Sequence, residues 1–73
     1  MHRYKLQFTD LTPIYVTADS AADAVRSVYP RHIQRPPHII TDMTQLDLWA
    51  KGLSERRGIH MLYEEVLNDQ SER

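Results

Sequence analysis

Arg3-Tyr4-Lys5-Leu6-Gln7-Phe8-Thr9 alternates without a break. Tyr4, Leu6 and Phe8 fall on one side, and Arg3, Lys5, Gln7 and Thr9 fall on the other. A period of two is the mark of a strand with one face on a core and one on solvent. Asp10-Leu11-Thr12-Pro13 carries turn chemistry. Ile14, Val16 and Ala18 then alternate with Tyr15 and Thr17. The simplest pairing of the two runs is an antiparallel hairpin with a four- or five-residue loop.

The period changes after Ala18. Ala21, Ala24, Val25, Val28 and Tyr29 recur at helical spacing. Ser20 is placed as the N-cap, with Asp23 three residues on in a near-capping-box position. Pro30 ends the pattern. Ile39 and Ile40 open a third short strand reaching to Asp42. Thr44 with Asp47, or Asp42 with Gln45, supplies the next cap. Leu46, Trp49, Ala50 and Leu53 share a helical face, which places Trp49 in the core. A second stripe runs through Ile59, Leu62, Tyr63, Val66 and Leu67, and Tyr63 is placed in the core with it. Two helices joined around Gly52–Gly58 follow from this spacing. A strand over 59–63 competes, because Ile59, Met61 and Tyr63 also alternate.

The expected fold is therefore α+β: a small antiparallel sheet, made of the hairpin and a third short strand, with one crossing helix and a C-terminal helical pair. Residues 1–67 form one domain, and the polar residues 68–73 form a flexible tail. The chain has 73 residues and no cysteine. At this size roughly 60% of the unfolded surface is buried, so stability is marginal. No continuous apolar run suggests a signal peptide or a membrane span, and the chain is read as cytoplasmic.

Chemistry is hard to place on these residues. The histidines His2, His32, His38 and His60 have no cysteine to complete a zinc set. Ser20 reads as a cap and Ser54 as a turn residue, not as nucleophiles. Two glycines leave no phosphate-binding loop. Glu64 and Glu65 read as the solvent face of a helix. No catalytic residue, metal or cofactor is expected. The net charge of −1 argues against bulk binding to nucleic acid or anionic membrane. It is unevenly spread: residues 1–38 carry five basic and three acidic side chains, and residues 39–73 carry four and seven.

Protein binding remains, and three surfaces offer it. The first is the loop Pro30-Arg31-His32-Ile33-Gln34-Arg35-Pro36-Pro37-His38, stiffened by three prolines. It presents Arg31, His32, Gln34 and Arg35, and arginine's planar fork suits carboxylate partners. The second is Arg3, Lys5 and Gln7 on the polar face of the first strand, open to strand addition if that strand lies at an edge. The third is Arg56 and Arg57, between the two C-terminal helices. Helices over 45–52 and 55–67 would also loosely form a helix-turn-helix, with Arg56, Arg57 and His60 as its only DNA contacts. Glu64 and Glu65 oppose that use.

In size and organisation the whole chain resembles the small, motif-poor early proteins that bacteriophages direct against host machinery. It is similar to the RNA-polymerase-binding transcription regulators represented in a lytic Xanthomonas phage. That resemblance implies inhibition of transcription initiation, and antitermination, through contact with polymerase subunits. The stretch Asp42-Met43-Thr44-Gln45-Leu46-Asp47-Leu48-Trp49-Ala50-Lys51-Gly52-Leu53 is similar to a segment of type I-F anti-CRISPR proteins, which implies a CRISPR effector complex as the second candidate partner. The upstream strands and the proline loop do not follow that family. A small DNA-binding regulator is the third reading.

Overall fold

The computed structural model describes residues 1–28 and 36–66. Strands β1 (His2–Gln7) and β2 (Ile14–Ala18) form the expected antiparallel hairpin, with Tyr4 opposite Val16 and Leu6 opposite Ile14. Helix α1 (Ala21–Val28) follows. Ser20 caps it: its Oγ accepts from the Asp23 amide at 3.2 Å, and its carbonyl accepts from the Ala24 amide at 3.0 Å. Ala24, Val25 and Val28 are buried, as their spacing requires.

Strand β3 (Ile39–Asp42) pairs with the other side of β1, placing Ile40 opposite Leu6 and Asp42 opposite Tyr4. Leu6 and Ile40 are completely buried. Each such side chain contributes about 1.5–3 kcal/mol through burial, so this pair anchors the centre of the sheet. Tyr4, Phe8, Ala18 and the buried face of α1 complete the cluster, with Val66 closing one end.

Helix α2 (Met43–Ala50) starts where β3 stops. Asp42 is its cap, one of the two expected alternatives, and its Oδ1 accepts from the Gln45 amide at 2.9 Å. The helix ends in a Schellman turn. The Leu53 amide reaches the Leu48 carbonyl and the Gly52 amide reaches that of Trp49, both at 2.9 Å. Gly52 sits at φ +76°, a left-handed conformation that a Cβ disfavours.

The C-terminal helical pair needs correction. Residues His60–Leu62 form a strand, β4, antiparallel to β3, with Met61 opposite Ile40 and His60 opposite Thr41. Helix then covers 63–66 as a short α3. The alternation of Ile59, Met61 and Tyr63 prevails because β3 has a free edge to be paired, and Met61 extends the apolar row begun by Leu6 and Ile40. Gly58, at φ +81°, turns the chain into that edge. Glu65 is not merely a solvent-facing carboxylate: its Oε1 accepts from the Leu62 amide at 3.1 Å, the backward half of a capping box at the start of α3.

The sheet order is β2-β1-β3-β4, so β1 lies inside the sheet. Strand addition to β1 is thereby closed, since both of its edges are already paired. Among the described residues the structure is a small α+β domain: a four-stranded antiparallel sheet with three short helices. Among the described residues, no helix is long and apolar enough to cross a membrane. The expected tail at 68–73 and most of the proline loop lie outside the described residues.

Candidate functional site

The placement of α2 sets the site. None of its residues is buried, although Leu46, Trp49 and Ala50 share a helical face. Trp49 is 42% exposed and Leu53, one turn on, is 70% exposed. The reading of Trp49 as core is therefore corrected. The helix leaves the sheet at its Asp42 cap and lies along β1 and β3, while α1 contributes the helical part of the main core. Tyr63 does pack at the edge of that core, as expected.

The 51–59 segment folds back on α2. Gln45 Nε2 donates to the Glu55 carbonyl at 3.3 Å, and Ser54 Oγ donates to the Gln45 carbonyl at 3.5 Å. These contacts bring the Arg56 guanidinium to 5.6 Å from the centre of the Trp49 ring. A cation over the face of an indole is attracted by the ring quadrupole, by about 0.5–1 kcal/mol at an exposed site. Trp49 and Arg56 thus form one partly apolar, partly cationic surface, Leu53 is exposed on the turn between them in the chain, and Arg57 follows directly. Lys51 is engaged with Asp47, at 3.1 Å.

Arg3 and Lys5 lie elsewhere, on the outer face of the interior strand β1. The Arg3 guanidinium stands 5.3 Å from the centre of the Tyr15 ring, which is 49% exposed on β2. The Arg3 amide donates to Thr44 Oγ1 at 2.9 Å, tying β1 to the first turn of α2. The structure therefore pairs Arg56 with Trp49 and Arg3 with Tyr15. Arg31, His32, Gln34 and Arg35 lie outside the described residues. Because 60–62 is a strand, the second helix of the loose helix-turn-helix is absent over that span, and the exposed His60 is hydrogen-bonded to Thr41 Oγ1 at 2.9 Å.

A second feature lies on the α1 side of the sheet. Asp19, Asp23, Asp42 and Tyr4 border a cavity of about 610 Å3. Asp42 is nearly buried. Its Oδ2 accepts from His2 Nδ1 at 2.7 Å while Oδ1 caps α2. Asp23 is ion-paired with Arg26 one turn along α1. Burial, and then the carboxylates of Asp42, Asp23 and Asp19, push the Tyr4 phenol above its ordinary pKa. Sequence reasoning placed Tyr4 on the core face and missed this convergence. Tyr4 and Asp42 meet only through the β1–β3 register, which no local pattern encodes. The Asp19-Ser20 pair ahead of an amphipathic run was the one available hint.

Among the described residues, no group of three or more histidine, aspartate or glutamate side chains is placed to hold a metal ion. No family model matches the chain, and no characterised protein or solved structure matches it significantly.

Proposed function

We propose that this protein is a non-enzymatic, protein-binding regulator, and that the Trp49–Arg56 surface is part of its contact area. The observation that carries the reading is the exposure of Trp49 beneath a guanidinium, on a helix that buries none of its residues. Tryptophan and arginine are the residues most enriched at energetic centres of protein interfaces. A solvent-facing tryptophan, with an exposed leucine on the turn that follows, suits an apolar seat on a partner, and Arg56 and Arg57 suit a carboxylate rim around it.

Bacterial RNA polymerase is the first partner to test, on the resemblance in size and build to phage transcription regulators, with inhibition of initiation and antitermination as the expected effects. A type I CRISPR effector complex is the second. Both place the protein in the bacterial cytoplasm. The decisive experiment is affinity capture from bacterial lysate with mass spectrometry, comparing the native chain with Trp49→Ala and with Arg56→Glu/Arg57→Glu. Enrichment of polymerase subunits by the native chain, and their loss with either variant, supports the reading. Capture of effector subunits moves it to the second partner. Recovery of neither complex sinks both.

Direct DNA binding is the third reading, and nothing in the geometry of 56–62 favours it. It predicts binding to bare duplex that falls steeply as salt rises.

A further inference from the structure

β2 forms one edge of the sheet, and its second side has no neighbouring strand among the described residues. The β1 register fixes which backbone groups stand open there. The Gln7 carbonyl accepts from the His38 amide, and the Arg3 amide donates to Thr44, so both residues aim their backbone groups to the β3 side. Lys5, midway between them, does the same, because that direction alternates along a strand. Tyr15 stands opposite Lys5, and Thr17 opposite Arg3. Neither pair exchanges backbone bonds, so the N–H and C=O groups of Tyr15 and Thr17 point out of the sheet. Both residues are exposed. Strand edges are ordinarily blunted by charge, an internal proline, a bulge or short length. Ile14-Tyr15-Val16-Thr17-Ala18 carries no charge, its register with β1 has no bulge, and Pro13 stands before it. The opposite edge, β4, has only three residues.

The side chains beside this edge select what fits it. Tyr15 and Thr17 share the outer face of the sheet with Arg3 and Lys5, and neither β1 nor β2 contains a carboxylate. The Arg3 guanidinium leans over Tyr15, 5.3 Å from its ring centre, which carries its charge from the interior strand toward the edge. On the core face, Ile14 and Val16 are only half-buried. We propose that β2 is a strand-addition site for an extended acidic segment of another protein. The segment bonds the backbone of Tyr15 and Thr17, sets acidic side chains beside Arg3, and lays an apolar residue between them against Val16. A second copy of this chain fits the edge poorly, because its β2 would bring Arg3 and Lys5 against Arg3 and Lys5. The site involves neither Trp49 nor Arg56. Its test can fail while capture through α2 succeeds, and the reverse.

The test is a two-dimensional NMR titration of the full chain with the end-capped peptide Thr-Val-Glu-Val-Glu-Val-Thr. Two control peptides separate its contributions. One carries glutamine for both glutamates, which removes the charge. The other is N-methylated at both glutamates, which keeps the charge and removes the amides that would bond β2. The expected result is saturable movement of the Tyr15 and Thr17 amides with the acidic peptide, and slower exchange of those two amides with solvent. The glutamine peptide should bind about two- to fivefold more weakly, the size of an exposed ion pair. The N-methylated peptide should not bind. Arg3→Glu, which keeps the backbone bond to Thr44, should retain the native spectrum and weaken the acidic peptide but not the glutamine one. No saturable movement at Tyr15 and Thr17, or equal binding of either control peptide, overturns the proposal. So does movement of these amides with protein concentration alone, which makes a second copy the occupant.

Discussion

Tyr4 and Asp42 face each other across β1 and β3, and Asp42 also caps α2 and receives His2. One carboxylate thus joins the strand pair, the second helix and the N-terminal histidine. Asp42→Ala removes the cap and leaves His2 without its partner. A lost N-cap alone costs about 0.5–2 kcal/mol. Urea unfolding should show Asp42→Ala near the top of that range, with Asp42→Asn much milder because the amide oxygen can still accept from Gln45.

The same pair makes stability depend on high pH. The Tyr4 phenol has a folded pKa above its unfolded value of about 10. The folded protein therefore holds the proton more tightly than the unfolded chain. That contribution is complete at neutral pH and is lost as pH rises above the unfolded value toward the folded one. Urea midpoints followed across the alkaline range should fall more steeply for the native chain than for Tyr4→Phe. Parallel curves would show that Tyr4 ionises as it does in the unfolded chain.

Trp49 supplies the sharpest contrast between two readings of one residue. A tryptophan in a packed core costs about 3–5 kcal/mol when cut to alanine. With 42% of its surface exposed, Trp49→Ala should cost about 1–2 kcal/mol, much of it lost contact with Arg56 and neighbouring chain. Denaturant unfolding measures this directly, and a loss above about 3 kcal/mol would return Trp49 to the core.

Leu6 and Ile40 should behave in the opposite way. Both are fully buried and directly paired, so truncating either to alanine costs about 2–5 kcal/mol. In a domain this small that approaches the whole stability. Circular dichroism of Ile40→Ala should show an unfolded or partly folded chain, whereas Ile40→Val costs only about 0.5–1.5 kcal/mol.

Gly58 tests the turn into β4. A Cβ there would meet no neighbour within 4 Å, so only the backbone conformation at φ +81° resists substitution. Gly58→Ala should cost about 1–2 kcal/mol and Gly58→Asn less, because asparagine tolerates the left-handed region. Amide exchange should show the loss first at β4, whose three residues end the sheet.

The parts of the fold set by near neighbours were legible in the residues. The alternation around Leu6 and the cap at Ser20 depend on residues a few positions apart, and the cap of α2 was narrowed to Asp42 or Thr44 on the same ground. Residues 59–63 were ambiguous for a physical reason. Their spacing satisfies both periods, and the choice rests on the free edge of β3, some twenty positions upstream. Trp49 was misplaced because a helical stripe shows which residues share a face and not what covers it. The surface at Arg56 was half legible: its charge was apparent, but its stacking on Trp49 depends on the Gln45 and Ser54 contacts that fold the turn back.

The interior position of β1 also orders the assembly of the chain. As the polypeptide is made, β1 can pair with β2 and receive α1 at once, since all three come from the first 28 residues. Its other edge stays bare until residues 39–42 emerge, and theirs until 60–62 do. Local contacts form early and distant ones wait on loop closure. The hairpin and α1 therefore emerge as a three-piece unit with Leu6 covered on one flank only, and an open strand edge of that kind invites pairing with another chain. Closure by β3 ends that exposure of β1 and passes the open edge to β3, which β4, the last strand to be made, then covers.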